Sequence, residues 1–158
     1  MPNGSSDAGE WVLLCYRVPR EPSTPRIAIW RRLKRLGVAQ VGDGVVALPA
    51  DARTREQLEW VAEDVVQAGG SAMLWTARPE TVADERRLAG QMAAARAAEY
   101  AHVRDQAEAG GGVAALRRLR GELRRIERRD FFPPAERTAA RAAVEALAAR
   151  GGALTEQA

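Results

Sequence analysis

The stretch Trp11 to Val18 is apolar on both of its alternating faces, with Trp11, Leu13 and Cys15 on one side and Val12, Leu14, Tyr16 and Val18 on the other. A strand of that kind needs cover on both sides, which limits the folds open to the chain. Val38 to Val41 and Val45 to Leu48 read as two further short strands, joined through Gly42-Asp43-Gly44, a hairpin composition that favours positive φ; Pro49 ends the second. Ser71 to Ala77, containing Met73, Leu74 and Trp75, reads as a fourth strand.

Two helices fall between these strands. The first runs from Pro25 to Leu36, with Thr24 expected as its N-cap, Pro25 in the first helical position and Gly37 in the left-handed conformation that ends it. At about 100° per residue, Ile29, Trp30, Leu33 and Leu36 share an anchoring face and Arg31, Arg32 and Arg35 project from the other. The second is expected from Arg55 to Ala68, opened by a Thr54–Gln57 capping box and closed by Gly69-Gly70. Leu58, Val61, Ala62 and Val65 form its stripe, Glu56, Glu59, Glu63 and Asp64 its acidic outer surface, and Trp60 lies away from the stripe. Strand, helix, strand, strand, helix, strand is the order of an α+β ferredoxin-like βαββαβ sandwich. Both helices then lie on one side of the sheet, and the opposite apolar face needs cover from a second copy or from the C-terminal half.

From Pro79 onward the chain becomes an alanine- and arginine-rich helix former, expected as an all-α region of about three helices. Glu80 to Ala109 carries Leu88, Met92, Ala95 and Val103 near one side, and Gly110-Gly111-Gly112 breaks it. Val113 to about Arg129 spaces Val113, Leu116, Leu119, Leu123 and Ile126 for packing on another helix. Its polar side sets Arg117, Arg118, Arg120, Arg124, Arg125, Arg128 and Arg129 against Glu122, Glu127 and Asp130. Asp130-Phe131-Phe132-Pro133-Pro134 is a stop and a new start, followed by a helix to Arg150 with Ala140, Val144 and Leu147 inward. The expected organisation is a disordered tail over 1–9, the α+β domain over 10–78, the helical region over 79–150 and a frayed tail over 151–158.

No apolar run approaches the roughly 20 residues of a bilayer span, and the polar N-terminus lacks the hydrophobic segment of a signal peptide, so the reading is cytoplasmic with no membrane partner. Cys15 is the single cysteine and His102 the single histidine; together they form neither a disulfide nor an N/S-type zinc site, and no metal or cofactor is expected. No nucleophile elbow, P-loop or Gly-x-Gly-x-x-Gly occurs, and adjacent carboxylates such as Glu63-Asp64 and Asp84-Glu85 diverge on helices. The metal-binding aspartate that a ferredoxin-like CRISPR adaptation nuclease holds after its first strand is replaced by Arg17. The expectation is a protein that is not an enzyme.

Anion recognition remains. The net charge of +3 is modest, but nearly all the basic residues are arginine, suited to bidentate contact with oxyanions. A GC-rich genome would also exchange lysine for arginine, so clustering, not number, carries the inference. Arg17 and Arg20 leave the first strand where Arg26 enters the first helix, three guanidinium groups about a helix N-terminus that suit a small oxyanion unless Glu10, Glu21 or Asp43 neutralises them. Arg31, Arg32, Lys34 and Arg35, with Arg117, Arg120, Arg124 and Arg128 of the later helix, suit a phosphate backbone.

The run Arg26-Ile27-x-x-Trp30-Arg31-x-Leu33-Lys34-x-Leu36-Gly37, followed by Asp43-Gly44-Val45-Val46-Ala47-Leu48-Pro49, resembles the N-terminal domain of the ChrB chromate-resistance regulators. Trp11-Val12-Leu13-Leu14 and Arg128-Arg129-Asp130-Phe131-Phe132-Pro133 also look like that family, over roughly residues 10 to 150. The resemblance implies a cytoplasmic transcriptional regulator of a chromate efflux operon that contacts DNA, pointing to Arg26, Trp30, Arg31, Lys34 and the strand from Gly44 to Pro49. It also implies a further C-terminal domain linked to chromate response, which would here be a separate partner chain. The two functional expectations are a homodimeric DNA-binding regulator and a chromate or sulfate sensor or protein-interaction adaptor that uses Arg17, Arg20 and Arg26 without binding DNA.

Overall fold

The computed structural model describes residues 9–156. The element order is β1 (Trp11–Arg17), α1 (Ser23–Leu36), β2 (Ala39–Gly42), β3 (Val45–Pro49), α2 (Ala52–Gln67), β4 (Ser71–Ala77), α3 (Val82–Ala109), α4 (Val113–Arg128) and α5 (Glu136–Glu156). This is a mixed fold of one four-stranded antiparallel sheet, in the order β2-β3-β1-β4, and five helices. Two compact units part between Gln91 and Met92, inside α3.

In the first unit β1 pairs with β3 and β4 along its length, setting Val12 opposite Leu48 and Thr76, and Leu14 opposite Val46 and Leu74. Val12, Leu14, Val46 and Leu48 are buried, as are Ile29 and Leu33 of α1 and Leu58, Val61 and Val65 of α2. On the other face Trp11 is buried, its indole N–H donating to Glu85 at 3.3 Å, while Met73 and Trp75 on the edge strand β4 stay exposed. The other edge, β2, is blunted by Gln91, whose amide exchanges hydrogen bonds of 2.7 and 3.2 Å with the backbone of Gln40.

Three ends differ from their expected form. Helix α1 begins at Ser23 with Pro22 at its N-cap and no side-chain cap, so Thr24 lies within the first turn, and Pro25 still costs no hydrogen bond because first-turn N–H groups have no helical partner. Helix α2 is capped by Asp51, whose carboxylate accepts from the Thr54 N–H at 2.7 Å while the Thr54 hydroxyl accepts from the Asp51 N–H at 2.9 Å. Asp51 is the better acceptor at that position, and it turns Thr54 from the cap into the reciprocating third residue. Helix α5 continues through Gly151 and Gly152 to Glu156, past its expected end at Arg150. The tail over 1–9 lies outside the described residues except for Gly9.

The second unit has a core of Tyr100, Val103 and Ala107 from α3, Leu119, Leu123 and Ile126 from α4, and Ala140, Val144 and Leu147 from α5. Val113, expected on the inward stripe, opens α4 and is exposed. The Asp130 side chain, expected on the outer polar side, is instead fully buried: its Oδ2 accepts from the Tyr100 hydroxyl at 2.7 Å and lies 3.8 Å from Arg137. Beside it the buried Arg96 bridges to Glu99 at 3.1 Å, and Glu99 is also held by Arg129 at 3.0 Å. Burial penalises the charged Arg96 and lowers its pKa, an effect opposed by Glu99.

Two predictions follow from this packing. Tyr100→Phe leaves a buried carboxylate short of a donor and is expected to cost about 1–3 kcal/mol in urea unfolding. Burial and then the Asp130 bond raise the Tyr100 pKa above its ordinary 10.0, so the folded state resists ionisation. That stabilisation is complete below pH 10.0 and is lost as the pH rises beyond it, a loss that Tyr100→Phe should reduce in melts from pH 8 to 11.

A candidate anion-binding cleft

Four segments meet at one end of the sheet. The end of β1 supplies Tyr16 and Arg17, the connection into α1 supplies Val18, Pro19 and Arg20, and the first turns of α1 supply Arg26, Ile27, Trp30 and Arg31. The β2–β3 turn contributes Asp43 and Gly44, and the α2–β4 turn contributes Gly69, Gly70 and Ser71. Together they enclose an open cleft of about 1130 Å³.

Local rules explain the convergence. Gly44 adopts φ +68° in the hairpin and its carbonyl accepts the Tyr16 N–H at 2.8 Å; a Cβ there would stand 2.5 Å from the Tyr16 carbonyl oxygen. Gly69, at φ +84°, ends α2 in a Schellman arrangement, with Gly69 N–H on Val66 O at 3.0 Å and Gly70 N–H on Val65 O at 2.9 Å. A Cβ on Gly70 would collide with the Arg17 carbonyl oxygen. Both turns therefore press bare backbone against the end of β1.

The arginines anticipated at the helix mouth, Arg17, Arg20 and Arg26, do line one cleft, and Arg31 joins them instead of facing outward with Arg32 and Arg35. Arg26, Ile27, Trp30, Arg31 and Lys34 recur at helical spacing and make a second face on α1, distinct from the buried Ile29–Leu33 stripe. Trp30, expected to anchor the helix, is thus 51 % exposed, and Lys34 Nζ lies 4.2 Å from its ring centroid. Among the described residues no ion pair or hydrogen bond engages the side chains of Arg17, Arg20, Arg26 or Arg31. Glu10, one acid weighed as their partner, lies instead beside Arg78 at 3.3 Å and Arg55 at 4.0 Å. Asp43 is the one acid lining the cleft. Tyr16 has its pKa raised by burial, so it stands there as a neutral hydrogen-bonding phenol.

The other named cations divide differently. Arg32 is tied to Asp64, joining α1 to α2. Arg35 is exposed in the last turn of α1. On α4, Arg117, Arg124 and Arg128 are exposed, and Arg120 lies 3.6 Å from Glu145. Arg118, on the same face, donates to Gln106 at 2.9 Å. His102 is exposed, 3.0 Å from Gln106. Among the described residues no group of three or more His, Cys, Asp or Glu is placed to hold a metal ion, and no helix is long and apolar enough to cross a membrane.

The family model described as Protein ChrB, N-terminal, matches residues 26–109, which includes most of α1, the hairpin and most of the cleft lining. The chain belongs to the ChrB N-terminal family. Protein ChrB of Cupriavidus metallidurans is 29 % identical over 140 residues, an alignment that takes in 82 % of this chain and 42 % of that protein. The chain therefore spans less than half the length of this curated relative. An uncharacterized protein from Mycobacterium tuberculosis has a similar fold, with a TM-score of 0.52 and 20 % identity over 92 % of this chain and 63 % of the other.

Because the four cleft arginines make no ion pair or side-chain hydrogen bond among the described residues, replacing Arg17, Arg20, Arg26 or Arg31 by alanine should change stability by no more than about 0.5 kcal/mol. Arg32→Ala removes the bridge to Asp64 and should cost up to about 1 kcal/mol, both read from urea midpoints.

Proposed function

We propose that this chain is the DNA-contacting module of a chromate-resistance regulator, a non-catalytic cytoplasmic protein that works as a homodimer alongside a C-terminal-type regulator domain. The observation that carries this reading is the cleft: four unpaired guanidinium groups and one carboxylate, in a volume of about 1130 Å³. Unpaired arginines gathered at one place hold a positive potential that internal ion pairs would have cancelled, and phosphate is the ligand their fork geometry fits. The arginine face of α4, with Arg117 and Arg124, is read as a separate phosphate contact. Family membership adds the chromate-resistance context, which belongs to the longer relative and is carried over here as part of the proposal. The β2-β3-β1-β4 order with α1 and α2 packed on one face is read as a ferredoxin-like sandwich.

If about six phosphates are engaged, the logarithm of affinity should fall with the logarithm of salt at a slope near −5, and Arg26→Ala should reduce that slope by about 1. A mobility-shift titration on the promoter of the chromate-efflux operon it is proposed to control measures both. Absence of any shift at low salt would sink the proposal.

A second reading is supported by the meeting of Arg17, Arg20 and Arg26 beside the first turns of α1: a sensor for chromate or sulfate. The cleft volume weighs against it, since water occupies about 30 Å³ per molecule in the liquid and a five-atom oxyanion only a small multiple of that. Millimolar chromate should raise the melting temperature, and Arg26→Ala abolish the rise, only if this second reading holds.

A further inference from the structure

We infer that the cleft is built for an unpaired nucleotide, with a base stacked on Trp30 and the flanking phosphates held by Arg17, Arg26 and Arg31, so that the module prefers single-stranded polynucleotide to duplex. The inference rests on the phosphate-binding reading of the cleft and adds what lies between the phosphates. Trp30 is 51 % exposed and Ile27 is 42 % exposed, and both line the cleft that contains the unpaired arginines. What sets Trp30 apart from the comparably exposed Trp60 and Trp75 is its place in the cleft, beside the unpaired arginines. In a duplex the π-faces of the bases are already covered by their stacked neighbours, so phosphates alone are presented to such a cleft. In a single strand each base offers a free face, and an aromatic platform interleaved with cations is the arrangement that takes it.

Two details strengthen the assignment. Lys34, one turn after Trp30, sits over the indole at 4.2 Å, a cation–π contact that favours one ring orientation and adds a further cation beside the platform. Gly44, Gly69 and Gly70 also line the cleft and add no side chain of their own to it. The neutral hydroxyl of Tyr16 adds a hydrogen-bonding group that does not require an anion.

The test compares oligodeoxythymidylate, oligouridylate and a blunt mixed-sequence duplex, each of about 12 nucleotides, titrated into the intact chain by fluorescence anisotropy at low salt. The expected result is tighter binding of one or both single strands than of the duplex. Trp30→Ala should weaken single-strand binding roughly 5- to 150-fold, a larger loss than the same variant shows for duplex, and Trp30→Phe should restore most of it. Trp60→Ala removes an equally exposed indole outside the cleft and should have no effect. A difference between the thymidylate and uridylate arms identifies the sugar that is favoured. Duplex binding without single-strand binding, or single-strand binding indifferent to Trp30→Ala, overturns the inference and leaves the DNA-binding proposal standing. No binding of any strand at low salt overturns both.

Discussion

The backbone of Tyr16 and Arg17 is gripped from two sides at once. The hairpin turn reaches it through the Gly44 carbonyl, 2.8 Å from the Tyr16 N–H, and the turn after α2 reaches it through Gly70, which has no room for a Cβ against the Arg17 carbonyl. Because β1 is a central strand paired with both β3 and β4, these contacts lock the ends of three strands into one rim. The chain leaving that rim must cross to α1, carrying Arg17 and Arg20, and arrives with Arg26 in the first turns. The cleft is thus a consequence of strand register and glycine turns, and its cations come from the segments those turns bring together.

Charge on α1 is sorted by where carboxylates are. Asp64 on α2 takes Arg32 and makes it a tie between the helices. Arg26 and Arg31 face the cleft, where Asp43 stands as one acid against four arginines, and they remain available. Solvent keeps such unpaired surface cations cheap for stability, since an exposed pair would have contributed only about 0–1 kcal/mol in any case. The same availability that costs the fold little is what a phosphate ligand needs.

Much of this was legible in the sequence, and the failures have physical causes. The Asp43-Gly44 turn, the left-handed Gly37, the strand from Ser71 to Ala77 and the buried stripe of α2 follow from local rules that tertiary packing did not override. The meeting of Arg17, Arg20 and Arg26 followed from their position at a strand-to-helix crossing. Trp30 was misassigned because hydrophobicity alone placed it with Ile29 and Leu33, although at about 100° per residue it stands at the margin of that stripe. The same rotation brings Arg31 to the cleft. Asp130, Arg96 and Tyr100 escaped notice because no sequence period marks a buried polar group whose partners come from another helix; their pairing spans about 30 residues of chain between α3 and the turn after α4.

That buried cluster clarifies how the arginine content is used. In the second unit Arg96, Arg129 and Arg137 are set against Glu99 and Asp130, so their charge is largely answered within the protein. Breaking such a network strands a buried charge, which makes these arginines elements of the fold rather than of recognition. A chain with a net charge of +3 would attract polyanions only weakly if its charges were evenly answered. Screening at physiological salt acts over about 8 Å, so an approaching phosphate responds to the local density of unanswered charge and hardly to the molecular total. By that measure the cleft of Arg17, Arg20, Arg26 and Arg31 far exceeds what a net charge of +3 suggests.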